Sequence, residues 1–322
     1  MAGAKSKTVI YAALAGNTAI AAVKFAAAGL TGSAAMLSEA IHSVVDTGNQ
    51  IVLLFGLNRA ARPATAEHPF GYGLQLYFWT FVVAVMIFGV GAVISILHGL
   101  EKINHPEPVD DAWINYVVLG LGILFEGTVW LIALSAFNKE RGKLGLIAAV
   151  RASKDPTTFT VLFEDTAALL GLVVAMVGIG ASQALHMPAL DGAASVLVGV
   201  ILAITAFFLA YESHSLLTGE AADPETRAGI ERISAVEPGV ERVNQALTMH
   251  FGPNQVLVAL SLDFRDSLTA GEVEKAVSSI ERAIKAKFPH VRRVFVEAQS
   301  FAEHLRGGEG EDTGRGARLH ET

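Results

Sequence analysis

Long apolar stretches separated by short polar loops dominate the first two-thirds of the chain. A membrane-spanning helix needs about 20 mostly apolar residues to cross a hydrocarbon core about 30 Å thick. Six segments meet that requirement: Thr8–Leu30, Ser33–Asn58, Tyr77–Leu100, Trp113–Phe137, Thr157–Ala184 and Gly192–Leu217. Gly and Pro near their ends are typical of turns between helices. The pattern therefore predicts an all-α transmembrane domain of six helices over residues 1–219.

The last third of the chain has the pattern of a small α/β unit. Asp223 followed by Pro224 predicts the start of a helix, and Thr269 with a Glu three residues later predicts a capping box at the start of another. Predicted strands, identified by alternating apolar residues, are Val240–Phe251, Gln255–Phe264 and Val291–Ala298. This order of elements predicts a ferredoxin-like α+β domain over 220–301. The charged, glycine-rich tail over 302–322 is expected to be disordered.

Composition separates the two parts further. Residues 1–219 hold 25 Asp, Glu, Lys and Arg residues, whereas the shorter segment 220–322 holds 30. A soluble enzyme would not concentrate its charge in this way, so we expect a membrane protein that is not an enzyme. The absence of cysteine excludes disulfides, thiolate zinc sites and catalytic thiols. A net charge of −7 argues against nucleic acid as a partner.

Basic residues in the loops predict the orientation. On one side of the predicted bundle lie Lys5, Lys7, Arg59, Arg62, Lys139, Arg141, Lys143, Arg151 and Lys154. The other side carries Lys102 alone. The positive-inside rule then places both termini and the C-terminal domain in the cytosol. A cleaved signal peptide is not expected, because the apolar pattern continues to Leu30 and its removal would leave mismatched loop charges.

The second predicted span carries four polar residues on one helical face. Glu39, His42, Asp46 and Asn49 follow one another at spacings of three, four and three. His and Asp four residues apart can both reach one metal ion. The alternative is a buried polar stripe that holds helices together by hydrogen bonds. Four such residues at mid-membrane favour an ion site, with Glu39 supporting the ligands rather than binding the ion.

The fifth predicted span carries the adjacent carboxylates Glu164 and Asp165. Neighbouring helical residues point about 100° apart, so one is expected to bind an ion while the other contacts a helix or carries a proton. A structural alternative is that either caps a break in the helix. With no Lys or Arg close in sequence, two carboxylates at this depth need a cation from elsewhere, which favours metal or protons.

Five further polar residues allow weaker interpretations. Glu126 is interpreted as either a proton relay or an interhelical hydrogen-bonding group, and Asn17 allows the same choice. Lys24 is expected to extend its ammonium towards the membrane interface. His98 is expected to be interfacial. His68 is interpreted as a turn residue, with a second metal ligand as the alternative.

Two of these segments resemble motifs of the cation diffusion facilitator family of divalent-metal transporters. Ser38–Asp46 (SEAIHSVVD) resembles its second-span motif, in which His and Asp four residues apart bind zinc, and His68–Gly73 (HPFGYG) resembles its next loop motif. The resemblance covers residues 8–300. It implies six spans, cytosolic termini and a cytosolic domain that forms a homodimer.

The fifth span departs from the family pattern. The family usually has a His or Asp, and an Asp four residues later, about 26 residues before an Asp that opens the sixth span. Counting back 26 residues from Asp191 gives Asp165, and the second ligand position falls on Leu169. The resemblance therefore implies three ligands, His42, Asp46 and Asp165. Glu164 or water would complete the tetrahedron, and Asn49 and His68 are weaker candidates.

Three other stretches resemble the subgroup that includes the mitochondrial zinc transporters of animals. They are Phe125–Gly127, Lys154–Thr157 and Leu162–Gly171. The chain lacks an Arg- and Ser-rich, acid-poor transit segment, so the mitochondrial location is not carried over. Its short, Ala- and Gly-rich form favours a bacterial cytoplasmic membrane.

The resemblance implies efflux of zinc, or a similar divalent cation, from the cytosol by proton antiport with alternating access. Zinc would be the substrate and protons the coupling ion, with no cofactor. Ligands must be deprotonated to bind, and His42 is the natural titrating group because its unperturbed pKa lies near 6.5. One imidazole among carboxylates favours zinc over magnesium or calcium.

Two other functions are weighed against this one. A membrane metal-binding or assembly protein could keep the fold and have lost turnover with Leu169. A transporter of small organic cations is disfavoured because the second span offers no aromatic cage. In the cytosolic domain, His250, His290, Glu297 and His304 lack metal-like spacing. We therefore expect it to dimerise but to sense metal weakly or not at all.

Overall fold

The computed structural model describes residues 2–306, except 110, 142–144, 146–148, 151–152 and 155. The chain divides into two compact units, Met1–Ser215 and Leu216–Thr322.

The first unit is a bundle of long helices. They are α1 (Ala2–Thr31), α2 (Ala34–Ala60), α3 (Leu74–Met86), α4 (Val93–Asn104), α5 (Ala112–Arg141), α6 (Pro156–Ala184) and α7 (Ala189–Leu217). A π-helical turn, Ile87–Ala92, joins α3 to α4 into one continuous helical segment. Within the bundle, α2 packs against α1, α3 and α6, and α5 packs against α1 and α6.

Five helical segments of the described residues are long and apolar enough to cross a membrane. They are Ala34–Ala60, Leu74–Asn104, Ala112–Ser135, Phe159–Ala184 and Ala189–Leu217. These agree to within a few residues with the second to sixth predicted spans. The first predicted span, Thr8–Leu30, falls on α1 but is not among these five. Large side chains such as Leu124 and Phe207 remain exposed on the bundle, as expected for surfaces that face lipid.

The N-terminus of α2 is fixed by a carboxylate from α7. Asp191 is fully buried; it accepts hydrogen bonds from the Ser33 hydroxyl (2.7 Å) and the Ala34 amide (2.6 Å). Nearby, the Lys102 ammonium donates to the Gly32 carbonyl oxygen (2.9 Å). A carboxylate is favoured at a helix N-terminus, where amides lack intrahelical partners. These contacts fix the end of the helix that carries His42 and its neighbours.

The second unit is a three-stranded sheet with helices on one face. Its elements are α8 (Pro224–Ala235), β1 (Val240–Gly252), β2 (Gln255–Phe264), α9 (Ala270–Lys287) and β3 (Val291–Ala298). β2 is the central strand and pairs antiparallel with β1 and parallel with β3. The predicted starts of both helices and the predicted ranges of all three strands are confirmed to within one residue.

The core of this unit follows from the alternation along β2. Val256, Val258, Leu260 and Leu262 are buried against Ile230, Ile280 and Ile284 of the two helices. The capping box at Thr269 is also present, as the sequence predicted. Residues 302–306, which were expected to open a disordered tail, belong instead to a helical segment over 301–306. The rest of that predicted tail lies outside the described residues.

Candidate functional site

A polar cavity lies inside the helical bundle, among α1, α2, α3, α5 and α6. Its volume of ≈ 80 Å³ leaves room for several water molecules, since one needs roughly 10–15 Å³ on the same measure. It is lined by Asn17, Ile20, Ser43, Asp46, Asn49, Gln50, Leu53, Val83, Phe125, Glu126, Val129, Thr160, Val161, Glu164, Asp165 and Ala168. The cavity therefore brings together polar residues from four helices.

The polar face of α2 forms one wall of this cavity. Asp46 and Asn49 line it, and His42 contacts it through Asp46, with Nδ1 3.4 Å from Asp46 Oδ1. The helical spacing therefore places His42 and Asp46 together as predicted. The Asn49 side-chain amide donates a hydrogen bond to Glu164 Oε1 (3.0 Å), which ties α2 to α6.

Both carboxylates of α6 reach the cavity but in different ways. Glu164 is engaged by Asn49, whereas Asp165 keeps a buried oxygen, Oδ2, without a hydrogen-bond partner. The prediction that the two adjacent residues would differ in their contacts agrees with this arrangement. Leu169 belongs to the apolar packing between α6 and its neighbours. It contributes no polar atom to the site.

Several buried polar atoms around the cavity have no hydrogen-bond partner. Those on α2 are both ring nitrogens of His42, Asp46 Oδ1 and Asn49 Oδ1. Nearly all buried polar groups in proteins are hydrogen-bonded, because an unpaired one costs free energy. A divalent cation or its water ligands would satisfy imidazole nitrogen and carboxylate oxygen atoms that lie on or beside a cavity wall and lack hydrogen bonds.

These atoms are not arranged as a closed metal site. Within the part of the chain that the structure describes, no three His, Asp or Glu side chains converge closely enough to hold one ion. The ligand set His42, Asp46, Asp165 and Glu164 therefore stays a prediction. The structure brings three of its members to one cavity and the fourth into contact with it.

The structure contradicts the prediction for Lys24. Its side chain does not extend to the membrane interface but is fully buried in the bundle. The ammonium donates hydrogen bonds to Ser43 Oγ (2.9 Å), Glu126 Oε1 (2.9 Å) and Glu39 Oε2 (3.3 Å). All three of its donors are used. Glu126 is thus not isolated, because it and Glu39 provide the carboxylates that allow a lysine to lie inside the bundle.

The weaker candidates lie in different places. Asn17 lines the cavity. Glu39 is fully buried and bound by Lys24. His68 lies in the loop between α2 and α3, where its ring stacks on Tyr72 with centroids 4.4 Å apart. His98 lies 3.6 Å from Glu101 and is partly exposed, as expected near the end of a span.

The candidate metal-sensing residues of the second unit have local contacts. His250 is buried, with Nδ1 3.3 Å from the Gly252 carbonyl oxygen. His290 lies 3.5 Å from the Thr226 hydroxyl. His304 lies 3.2 Å from the Gln299 amide oxygen, and Glu297 is exposed on β3. These contacts are spread over the unit, and weak or absent metal sensing stays a prediction.

Sequence reasoning missed two residues of the cavity wall, Gln50 and Thr160. Each carries a buried side-chain oxygen without a partner. Gln50 lies one helical turn after Asp46, and Thr160 lies one helical turn before Glu164. Helical spacing from the recognised residues is the signal that could have identified them.

Curated relatives of the chain include metal transporters from animals, plants and bacteria. The chain is 33% identical over 236 residues to the proton-coupled zinc antiporter SLC30A9, mitochondrial, of Xenopus laevis. The aligned region covers 73% of this chain and 42% of the relative. The chain is 27% identical to metal tolerance protein C4 of Arabidopsis thaliana, covering 82% of this chain and 58% of that protein. The chain thus spans less than half the length of the animal relative.

A bacterial relative is matched over most of its length. The cation-efflux pump FieF of Klebsiella pneumoniae is 25% identical over 288 residues, which cover 87% of this chain and 91% of the pump. Among solved structures, MamM-CTD 215-293 matches 24% of this chain and 95% of its own at 14% identity, with a TM-score of 0.23. At that score the likeness carries no argument.

The helical unit also matches a family model. The model describes the cation efflux transmembrane domain and matches residues 10–218, well over half of the chain. That range includes all the helices around the cavity. The chain belongs to the cation efflux family, the cation diffusion facilitators.

Proposed function

We propose that this protein exports a divalent cation, with zinc as the preferred substrate, from the cytosol in exchange for protons. The observation that carries the proposal is the polar cavity, whose wall holds Asp46, Glu164 and Asp165 beside the buried His42. The printed names of the relatives support it, since they describe a proton-coupled zinc antiporter and a cation-efflux pump.

The cation would bind where unpaired atoms of α2 and α6 face one another. Asp46 Oδ1 and Asp165 Oδ2 lack partners, and His42 is in contact with Asp46. Because metal ligands must be deprotonated, protons that enter from the opposite side would compete for the same atoms and release the cation. Movement of helices around the cavity would expose it alternately to each side.

We infer the finer architecture from the family and the loop charges. The proposal has six spans with α1 as the first, both termini in the cytosol, and a ferredoxin-like cytosolic domain that joins two copies in a homodimer. A bacterial cytoplasmic membrane is the proposed location. A bacterial cation-efflux pump among the relatives supports it.

A membrane metal-binding protein without transport is the competing function. It rests on Leu169, which occupies the second ligand position of the family pattern on α6. The relatives give it no support, since those compared are described as antiporters, pumps or a metal tolerance protein. Other carboxylates on the cavity wall can compensate for one missing ligand, so Leu169 alone does not exclude turnover.

The test is zinc flux into proteoliposomes under an imposed pH gradient. Wild type is compared with Asp46→Asn, which removes the charge without changing the side-chain size. The control is Glu107→Gln, because the Glu107 side chain is 82% exposed and lies outside the cavity. Gradient-driven flux that Asp46→Asn abolishes and Glu107→Gln retains is the expected result. Absence of flux from folded wild type, across several divalent metals, would favour the competing function.

A further inference from the structure

One carboxylate on the cavity wall is bound to an internal ammonium and still keeps an unpaired oxygen. Glu126 on α5 accepts a hydrogen bond from Lys24 at Oε1, whereas its Oε2 is buried and has no partner. The same side chain lines the cavity together with Asp46 and Asp165. A buried anionic oxygen without a partner is costly, so it marks a position suited to a cation.

The charges around Lys24 do not cancel. One ammonium is shared by two carboxylates, Glu39 and Glu126, so the group as a whole carries an excess negative charge. Each carboxylate has one oxygen without a hydrogen-bond partner, Glu39 Oε1 and Glu126 Oε2. These two oxygens are therefore the atoms of the group that could bind a further cation or a proton.

Of the two oxygens, Glu126 Oε2 is the one that a cation in the cavity could reach. Glu39 is fully buried, and its Oε1 lies against α6, where a Cβ on Gly171 would come within 2.2 Å of it. Glu126 keeps 15% of its side-chain exposure and belongs to the cavity wall, which among the described residues does not include Glu39.

A second unpaired atom faces the same cavity. Asn49 is 1% exposed, its amide nitrogen is bound to Glu164, and its Oδ1 has no partner. An uncharged oxygen of this kind is a poor base but a good ligand for a cation or its bound water. The cavity wall thus offers unpaired oxygen atoms from α2, α5 and α6 at once.

We propose that Glu126 is a further cation-binding residue of this cavity, one that supplies from α5 the carboxylate that Leu169 cannot supply from α6. This inference rests on the proposed function, because it assumes that the cavity binds the transported ion. It adds a third helix to the site, so that the cation is held among α2, α5 and α6. Movement of α5 would then accompany binding and release.

Zinc titration by calorimetry on the purified protein tests the role of the Glu126 charge. Glu126→Gln keeps an oxygen for Lys24 to bind but removes the charge, and we expect its zinc dissociation constant to rise about 10–100-fold. Glu107→Gln removes one carboxylate outside the cavity and is expected to bind as wild type. Wild-type affinity in Glu126→Gln, with binding lost in Asp46→Asn, would overturn the proposal and leave the proposed function intact. Absence of zinc flux from folded wild type would instead defeat the proposed function.

A thiol probe tests direct contact with the cation, and its positive result is a new signal rather than a loss of zinc affinity. The chain contains no cysteine, so Glu126→Cys has a single thiol, and thiolates bind cadmium strongly. We expect equimolar cadmium to produce a cadmium–thiolate absorption band in this variant. Thr128→Cys on the same helix, at an exposed position, is the matched control and should show none. Cadmium bound to folded Glu126→Cys without that band would refute direct coordination by residue 126.

Discussion

Replacement of the buried lysine by an apolar residue of similar length tests the internal charge balance of the bundle. Lys24→Met removes an ammonium that makes three hydrogen bonds and has no solvent exposure. The variant leaves Glu39 and Glu126 in the bundle without the cation that both contact. Because Met fills nearly the same space, the effect reports the lost charge rather than a cavity.

The expected loss follows from the burial of the remaining partners. Removal of one member of a buried ion pair costs about 3–5 kcal/mol, because the other member stays charged in a medium of low polarity. With roughly 2–4 °C of melting temperature per kcal/mol for a domain of this size, the melting temperature should fall by about 6–20 °C. A lysine that extended to the membrane interface would lose only about 0–1 kcal/mol.

Thermal unfolding in detergent, monitored by size-exclusion chromatography, measures the change in melting temperature. Lys102→Met is the matched control, because the Lys102 ammonium binds one carbonyl oxygen and an exposed carboxylate. The melting temperature should fall less in Lys102→Met than in Lys24→Met. The double variant Lys24→Met/Glu39→Gln should recover part of the stability, since it removes one of the two unpaired charges.

A melting temperature for Lys24→Met equal to that of wild type would refute the reasoning. It would mean that the two carboxylates are already neutral or that water reaches them freely. Equal losses in the single and double variants would also count against it, because the cost would then not arise from unpaired carboxylates.

Two further predictions concern helix starts. Asp191→Ala removes the acceptor for the Ser33 hydroxyl and the Ala34 amide. The local stability at the start of α2 should fall by about 1–3 kcal/mol, which amide hydrogen exchange would detect as faster exchange there. At Asp223, burial raises the pKa, but hydrogen bonds from Thr226 outweigh it and hold the pKa of that carboxyl below its usual range. Because the folded-state pKa is lowered, its contribution is present above about pH 4 and is lost as the pH falls. Asp223→Ala should therefore destabilise α8 by about 1 kcal/mol at neutral pH and less in acid, as measured by urea-dependent amide exchange.

Local sequence patterns predicted much of the C-terminal unit. The alternation along β2 identifies which side chains are buried, because a strand has a period of two and one face must meet the helices. Thr269 and Glu272 predicted a capping box because both partners lie within one helical turn. These features depend on residues close in sequence, so a single chain is sufficient to identify them.

Spacing along a single helix also predicted one part of the candidate site, the pair on α2. His42 and Asp46 share a face because they are one turn apart on α2, and their contact follows from that spacing. The pairing of Lys24 with Glu126 joins residues 102 positions apart. Apolar residues flank Lys24 on both sides in sequence and fit equally well against lipid or against another helix. The sequence therefore does not indicate which face of α1 is buried, and the rule for lysines at membrane interfaces predicted the wrong environment.

The internal lysine bears on how such a site could exchange ions. Among the described residues in and around the cavity, five carboxylates outnumber the one ammonium that contacts any of them, that of Lys24; they are Glu39, Asp46, Glu126, Glu164 and Asp165. Charge at this depth must be neutralised in every state, because an unpaired carboxylate is costly in hydrocarbon. Lys24 is fixed and offsets the same charge whether or not a cation is bound. The remaining negative charge needs a mobile partner, either the metal or the protons that replace it. This charge balance favours alternating access in which the metal ion and protons compete for the same carboxylates.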